Sequence, residues 1–140
     1  MENAIIRDLG GYVARHRFAR ITARKARFVA DAIRGRGANE ALELLELMPQ
    51  RGAAFYKKVL LSAIANASQD EDVNVNNLVI VDARADEGPL VNNRMRFRPG
   101  PQGRAMPYAK KTSHLQIIVA DPAQMEEQAF GDDSNEAGEA

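Results

Sequence analysis

The sequence contains no cysteine, which excludes disulfide frameworks, thiolate metal sites, iron–sulfur clusters and a cysteine nucleophile. Tryptophan is also absent and aromatic residues make up only 6%, so a core has to be assembled from aliphatic side chains and alanine. No apolar run approaches the roughly 20 residues that span a bilayer, and the opening Met1-Glu2-Asn3-Ala4-Ile5-Ile6-Arg7-Asp8 lacks the basic-then-apolar order of a secretory signal. A cytoplasmic chain with no membrane partner is expected. Its 140 residues suit one compact domain.

What is present is charge, unevenly placed. The formal net charge of zero is the sum of two unlike segments. All 19 Lys and Arg lie within residues 1–120 alongside 12 Asp and Glu, a net +7, while residues 121–140 carry seven acids and no base. A basic body with an acidic tail points to a polyanion partner for the body. The tail, from Asp121 onward, has too little apolar surface to offset its ordering entropy and is expected to lie outside the fold, disordered.

The body reads as α+β. Between Tyr12 and Ile21, Ala14, His16 and Phe18 alternate with Val13, Arg15 and Arg17, which predicts a short strand with one basic face. Thr22 is placed to cap a helix whose apolar residues Ala26, Val29, Ala30 and Ile33 share one face and which stops at Gly35. Asn39 is expected to cap a second helix with the stripe Ala41, Leu44, Leu45 and Met48, ended by Pro49. A third helix, about residues 52–68, puts Tyr56, Val59, Leu60, Ala63 and Ala67 on one side. The pattern then changes to period two: a strand through residues 78–86 and another through residues 115–119 are natural antiparallel partners. Between them, residues 87–111 hold four of the six prolines, and residues 88–111 carry six bases and no acid. A 25-residue insertion of this kind in a compact domain is usually functional, and it reads as a hairpin arm that needs an anionic host.

Two basic clusters carry the chemistry. The first contains Arg15, Arg17, Arg20, Arg24, Lys25, Arg27, Arg34 and Arg36 against one acid; the arm adds Arg94, Arg96, Arg98, Arg104, Lys110 and Lys111. Arginine outnumbers lysine, as suits bidentate phosphate contact and stacking on bases. A surface built only for solubility mixes signs, so both clusters together favour nucleic acid. An arm holding Pro99, Gly100, Pro101 and Gly103 is no groove-reading helix, which favours irregular folded RNA over duplex DNA. His16 and His114 lack a converging third ligand, so no metal or cofactor is expected. Asp86-Glu87 suits a turn with pairing to Arg84, and Thr112-Ser113-His114 lacks the orienting acid of a nucleophile triad. A small hydrolase drawing on His16, His114 and Asp86 is the weakest alternative; a free-standing RNA chaperone or regulator using the same surface is the stronger one.

Five stretches, in order and spacing, carry a resemblance: residues 23–35 (Ala23-Arg24-Lys25-Ala26-Arg27 through Gly35), Ser62-Ala63-Ile64-Ala65-Asn66-Ala67, Asp86-Glu87-Gly88-Pro89, Gly103-Arg104-Ala105 and Lys111-Thr112-Ser113-His114. Over about residues 14–120 the chain resembles the bacterial large-subunit ribosomal proteins of the L-twenty-two family. The resemblance implies three helices on a three-stranded antiparallel sheet with a long protruding β-hairpin. It implies partners: large-subunit rRNA, neighbouring ribosomal proteins, and the nascent polypeptide at an arm tip that lines the exit tunnel. It also implies help in subunit assembly, no catalysis, no small-molecule substrate and an indirect effect on macrolide binding. By similarity the rRNA contacts are the two basic clusters together with His16, Thr112, Ser113 and His114, and the tunnel-lining tip is Arg96, Phe97, Arg98, Pro99, Gly100, Pro101, Gln102 and Gly103. The tip looks a few residues longer than the common form, with Gly-Pro-Gln where bases are usual, and the acidic tail is extra.

Overall fold

The computed structural model describes residues 11–126. In chain order the elements are β1 (Gly11–Ala19), α1 (Ala23–Ile33), α2 (Ala38–Leu47), α3 (Arg51–Ala67), β2 (Val79–Leu90), β3 (Arg96–Pro99), β4 (Ala105–Tyr108) and β5 (Lys111–Ala120). β5 lies in the middle of a three-stranded sheet, between β1 and β2 and antiparallel to both. β3 and β4 form a separate antiparallel pair out on the arm. The fold is therefore α+β, three helices on a small sheet with a protruding hairpin. No helix among the described residues is long and apolar enough to cross a membrane.

The helices cover one face of the sheet. The predicted stripes are the buried ones: Ala26, Val29, Ala30 and Ile33 on α1, and Tyr56, Val59, Leu60, Ala63 and Ala67 on α3. They meet Ile80, Ala83, Leu115, Ile117 and Val119 from the sheet. The small residues allow close approach, most tightly at Gly52, where a Cβ would lie 3.2 Å from Val29 Cγ2 and 3.3 Å from Ile21 Cδ1. That contact seats the first turn of α3 against Val29 in the middle of α1 and Ile21 just before it, and burying a side chain such as Leu60 contributes about 1.5–3 kcal/mol to holding the helices together.

Three local readings are corrected. Phe18 does not continue the alternation of β1: the register shifts between His16 and Ala19, Phe18 takes φ 57°, and its ring turns to solvent. α2 starts after Gly37 rather than at Asn39, because Ala38 N donates to Leu78 O (2.8 Å) and Gly37 bridges Val79, so contact with β2 sets the boundary. Asp86 and Glu87 lie inside β2, paired with His114 and Ser113, rather than in a turn. Thr22 occupies the N-cap position of α1, but its side chain makes no capping bond.

β2 runs to Leu90, opposite Lys111, so the main sheet feeds directly into the arm. The arm then turns at Asn92 and Asn93, both in the left-handed region that asparagine tolerates, before β3 begins. The tip closes with Gly100 N donating to Arg104 O (2.6 Å) and Arg104 N to Pro101 O (3.3 Å). At the other end of β5 the fold reaches past the expected boundary: Asp121, expected to open a disordered tail, is buried because its carboxylate accepts from Asn74 N and Ala123 N, and residues 122–126 are helical. The acidic residues beyond 126 lie outside the described part of the chain.

Candidate nucleic-acid interface

With one stripe of α1 buried, its other side presents Arg24, Lys25, Arg27, Phe28, Asp31 and Arg34. These cations divide into two groups. Arg27 Nε donates to Ala85 O (3.1 Å), and Arg34 donates to Ala83 O (2.6 Å) and to Asp31 (2.9 Å). Arg36 donates to Ala32 O and pairs with Glu40. These three guanidinium groups latch α1 and its following loop to β2 and α2. Arg24 and Lys25, in contrast, have no hydrogen-bonded or ion-paired partner among the described residues and stand in the first turn of α1, which holds no acid. Bases at the positive end of a helix are unfavourable by about 0.3–1 kcal/mol each unless an anion offsets them.

That first turn faces a groove of about 720 Å³. Arg20, Arg24 and Lys25 line it from the start of α1, Arg51 from the start of α3, and Lys110 and Lys111 from the root of the arm. Among the described residues the lining contains six cations and no acid, with the exposed ring of Phe28 among them. The groove thus joins Arg20, Arg24 and Lys25 of the first basic cluster to Lys110 and Lys111 of the second, 85 residues apart in sequence between Lys25 and Lys110. In the same wall Gln50 Oε1 is buried and has no hydrogen-bond partner among the described residues.

On the sheet face away from the helices, a smaller cleft is lined by Arg15, Arg17, Asp86, His114 and Gln116. Arg15 Nε donates to Gln116 Oε1 (3.0 Å). His114 accepts at Nδ1 from Phe18 N (3.1 Å), and its ring meets that of Phe18 edge on. His16 pairs in register with Leu115, one position along from His114, and packs on Phe55 of α3 on the opposite face. Neighbouring strand positions point to opposite faces, so the two histidines do not converge with Asp86. Among the described residues no group of three or more His, Asp or Glu could hold a metal ion.

Along the arm, Arg94, Arg96, Arg98 and Arg104 are exposed, as are Phe97 and most of the tip from Pro99 to Gly103. Arg98 lies over the Tyr108 ring, 4.2 Å from its centroid, which stiffens the β3–β4 pair. Thr112 and Ser113 are inside rather than on the surface, because β5 is the central strand. The Thr112 hydroxyl donates to Pro89 O, serving the arm's root.

Sequence reasoning missed two groove residues. Arg51 falls outside the third helix as the sequence bounds it, at about residues 52–68, whereas the helix begins at Arg51; Phe28 lies off the apolar stripe. An aromatic residue flanked by Arg27 and Lys25 on the polar side of an amphipathic helix was the available signal for the second. Compared with known families, the sequence matches the one described as ribosomal protein L22p/L17e over residues 14–120, from within β1 to the last residue of β5.

Proposed function

The chain belongs to the ribosomal protein L22p/L17e family, and on that premise we propose that it grips large-subunit rRNA through the α1–α3 groove and threads its arm through the RNA to the polypeptide exit tunnel. Membership makes it a structural constituent of the large ribosomal subunit, bound to rRNA among other ribosomal proteins, with no enzymatic role. In the proposed arrangement Arg20, Arg24, Lys25, Arg51, Lys110 and Lys111 neutralise phosphates at the body, while Arg94, Arg96, Arg98 and Arg104 do so along the arm. The tip, Arg96 to Gly103, faces the nascent chain, and drug binding in the tunnel responds to it indirectly. Residues 1–120 act as one RNA-binding unit that helps the subunit assemble, and the acidic residues from 121 onward stay clear of phosphate.

The observation that carries this reading is the groove in which the arm root meets the helix starts, lined among the described residues by six cations and no acid. Such a surface costs electrostatic energy in the free protein and regains it against a polyanion, with affinity that falls steeply with salt. A photo-crosslinking side chain at Gln102, incorporated into assembled large subunits, tests the arm. Adducts with rRNA and with a stalled nascent chain are expected; adducts with neither overturn the placement.

A further inference from the structure

We propose that the groove holds one unpaired nucleotide of the rRNA, its base laid on the ring of Phe28 and its flanking phosphates held by Arg24, Lys25 and Arg51. The inference deepens the groove contact just described and rests on it.

Four observations converge on this cleft. Phe28 is 61% exposed while the apolar stripe of the same helix is fully buried, so its ring is presented rather than packed. The cleft, about 720 Å³, lies within the roughly 300–1,000 Å³ of sites that take a small organic group. Two helices begin at its edge, with bases instead of acids in their first turns, so backbone N–H groups and side chains both favour an anion. Gln50 Oε1 in its wall has no hydrogen-bond partner among the described residues and suits an N–H donor carried in by a ligand.

The combination selects the occupant. Cations alone suit any phosphate, but a duplex hides the faces of its bases, and only an unpaired base offers a π-face to an aromatic ring. An acidic peptide satisfies the cations and leaves the ring uncovered. The other exposed phenylalanines among the described residues are poorer platforms: the Phe18 ring is engaged by His114 at 4.9 Å, and Phe97 stands on the arm outside this cleft.

The chain contains no tryptophan, so Phe28→Trp in the full chain provides a single reporter. Titration with a short oligoadenylate is expected to quench its emission saturably, whereas polyphosphate and polyglutamate leave it nearly unchanged. Phe28→Ala is expected to weaken oligoadenylate binding roughly tenfold without altering the salt slope, because stacking releases no counterions. Equal quenching by polyphosphate or polyglutamate, or undiminished oligoadenylate binding by Phe28→Ala, overturns the proposal. If large-subunit rRNA binds but oligoadenylate leaves the emission unchanged, the stacking inference alone fails. If the wild-type chain binds no rRNA, the functional reading fails with it.

Discussion

Gly88 lies directly against Thr112 across the β2–β5 ladder: a Cβ at Gly88 would sit 2.6 Å from Thr112 Oγ1 and 3.3 Å from its carbonyl carbon and oxygen. The same hydroxyl donates to Pro89 O, so the two strands are clamped where the main sheet becomes the arm. Gly88→Ala must break this bond or spread the strands. A loss of about 1–3 kcal/mol in urea unfolding is expected, with weaker rRNA binding because the arm root is displaced. An unchanged urea midpoint would show that the contact relaxes freely.

The two groups of cations separate by substitution. Arg24→Ala is expected to lower the slope of log affinity against log salt by about 0.7–0.9 while leaving stability within about 0.5 kcal/mol. Arg34→Ala removes a donor from Ala83 O and a partner from Asp31, so stability is expected to fall by about 1 kcal/mol with little change in salt slope. Equilibrium unfolding and filter binding at several salt concentrations read both. The reverse pattern would contradict the assignment of Arg24 to RNA and Arg34 to the fold.

Alkaline pH is expected to weaken the fold through two tyrosines. Burial, and then the hydrogen bond to Asp70, raise the Tyr12 hydroxyl from its ordinary 10.0 to about 12. Burial also raises Tyr56, with a partial opposing effect from Arg34, and its hydroxyl donates to Arg84 O (3.1 Å). Because the folded state prefers the neutral phenol, this stabilisation is complete below pH 10 and is lost as pH rises toward about 12. The thermal midpoint of wild type should fall over that interval, with a shallower fall in Tyr12→Phe and in Tyr56→Phe. Parallel curves for all three proteins would refute the attribution.

The arm should exchange its amide protons faster than the body. The β3–β4 pair comprises four registered residue pairs, has mostly exposed side chains and borders no third strand. An isolated two-stranded ribbon is marginal in water. In the isolated protein, residues 94–108 should exchange quickly while residues 115–119 of β5 are protected, and rRNA binding should protect the arm. Strong protection of the arm without RNA would contradict this.

Where hydrophobic periodicity is strong, the fold was legible: the stripes of α1 and α3 and the alternation in β5 each predicted the buried face. The misses have a common physical origin, since long-range contacts set what local pattern cannot. The bulge that turns Phe18 outward, the start of α2 against Leu78 and Val79, and the burial of Thr112 and Ser113 all depend on which strand lies next to which. For the interface, counting bases names candidate residues but does not distinguish latches such as Arg27 and Arg34 from Arg24, which has no hydrogen-bonded or ion-paired partner among the described residues. Only the packing of α3 against α1 at Gly52 brings Arg51 to the groove.

Sedimentation of the chain from a cell lysate after a high-salt wash tests most directly whether it is an integral rRNA-bound component. The account predicts that it pellets with large subunits and leaves them only when the rRNA is unfolded or digested. Recovery of the washed chain in the post-ribosomal supernatant, with the subunits intact and lacking it, would contradict the account.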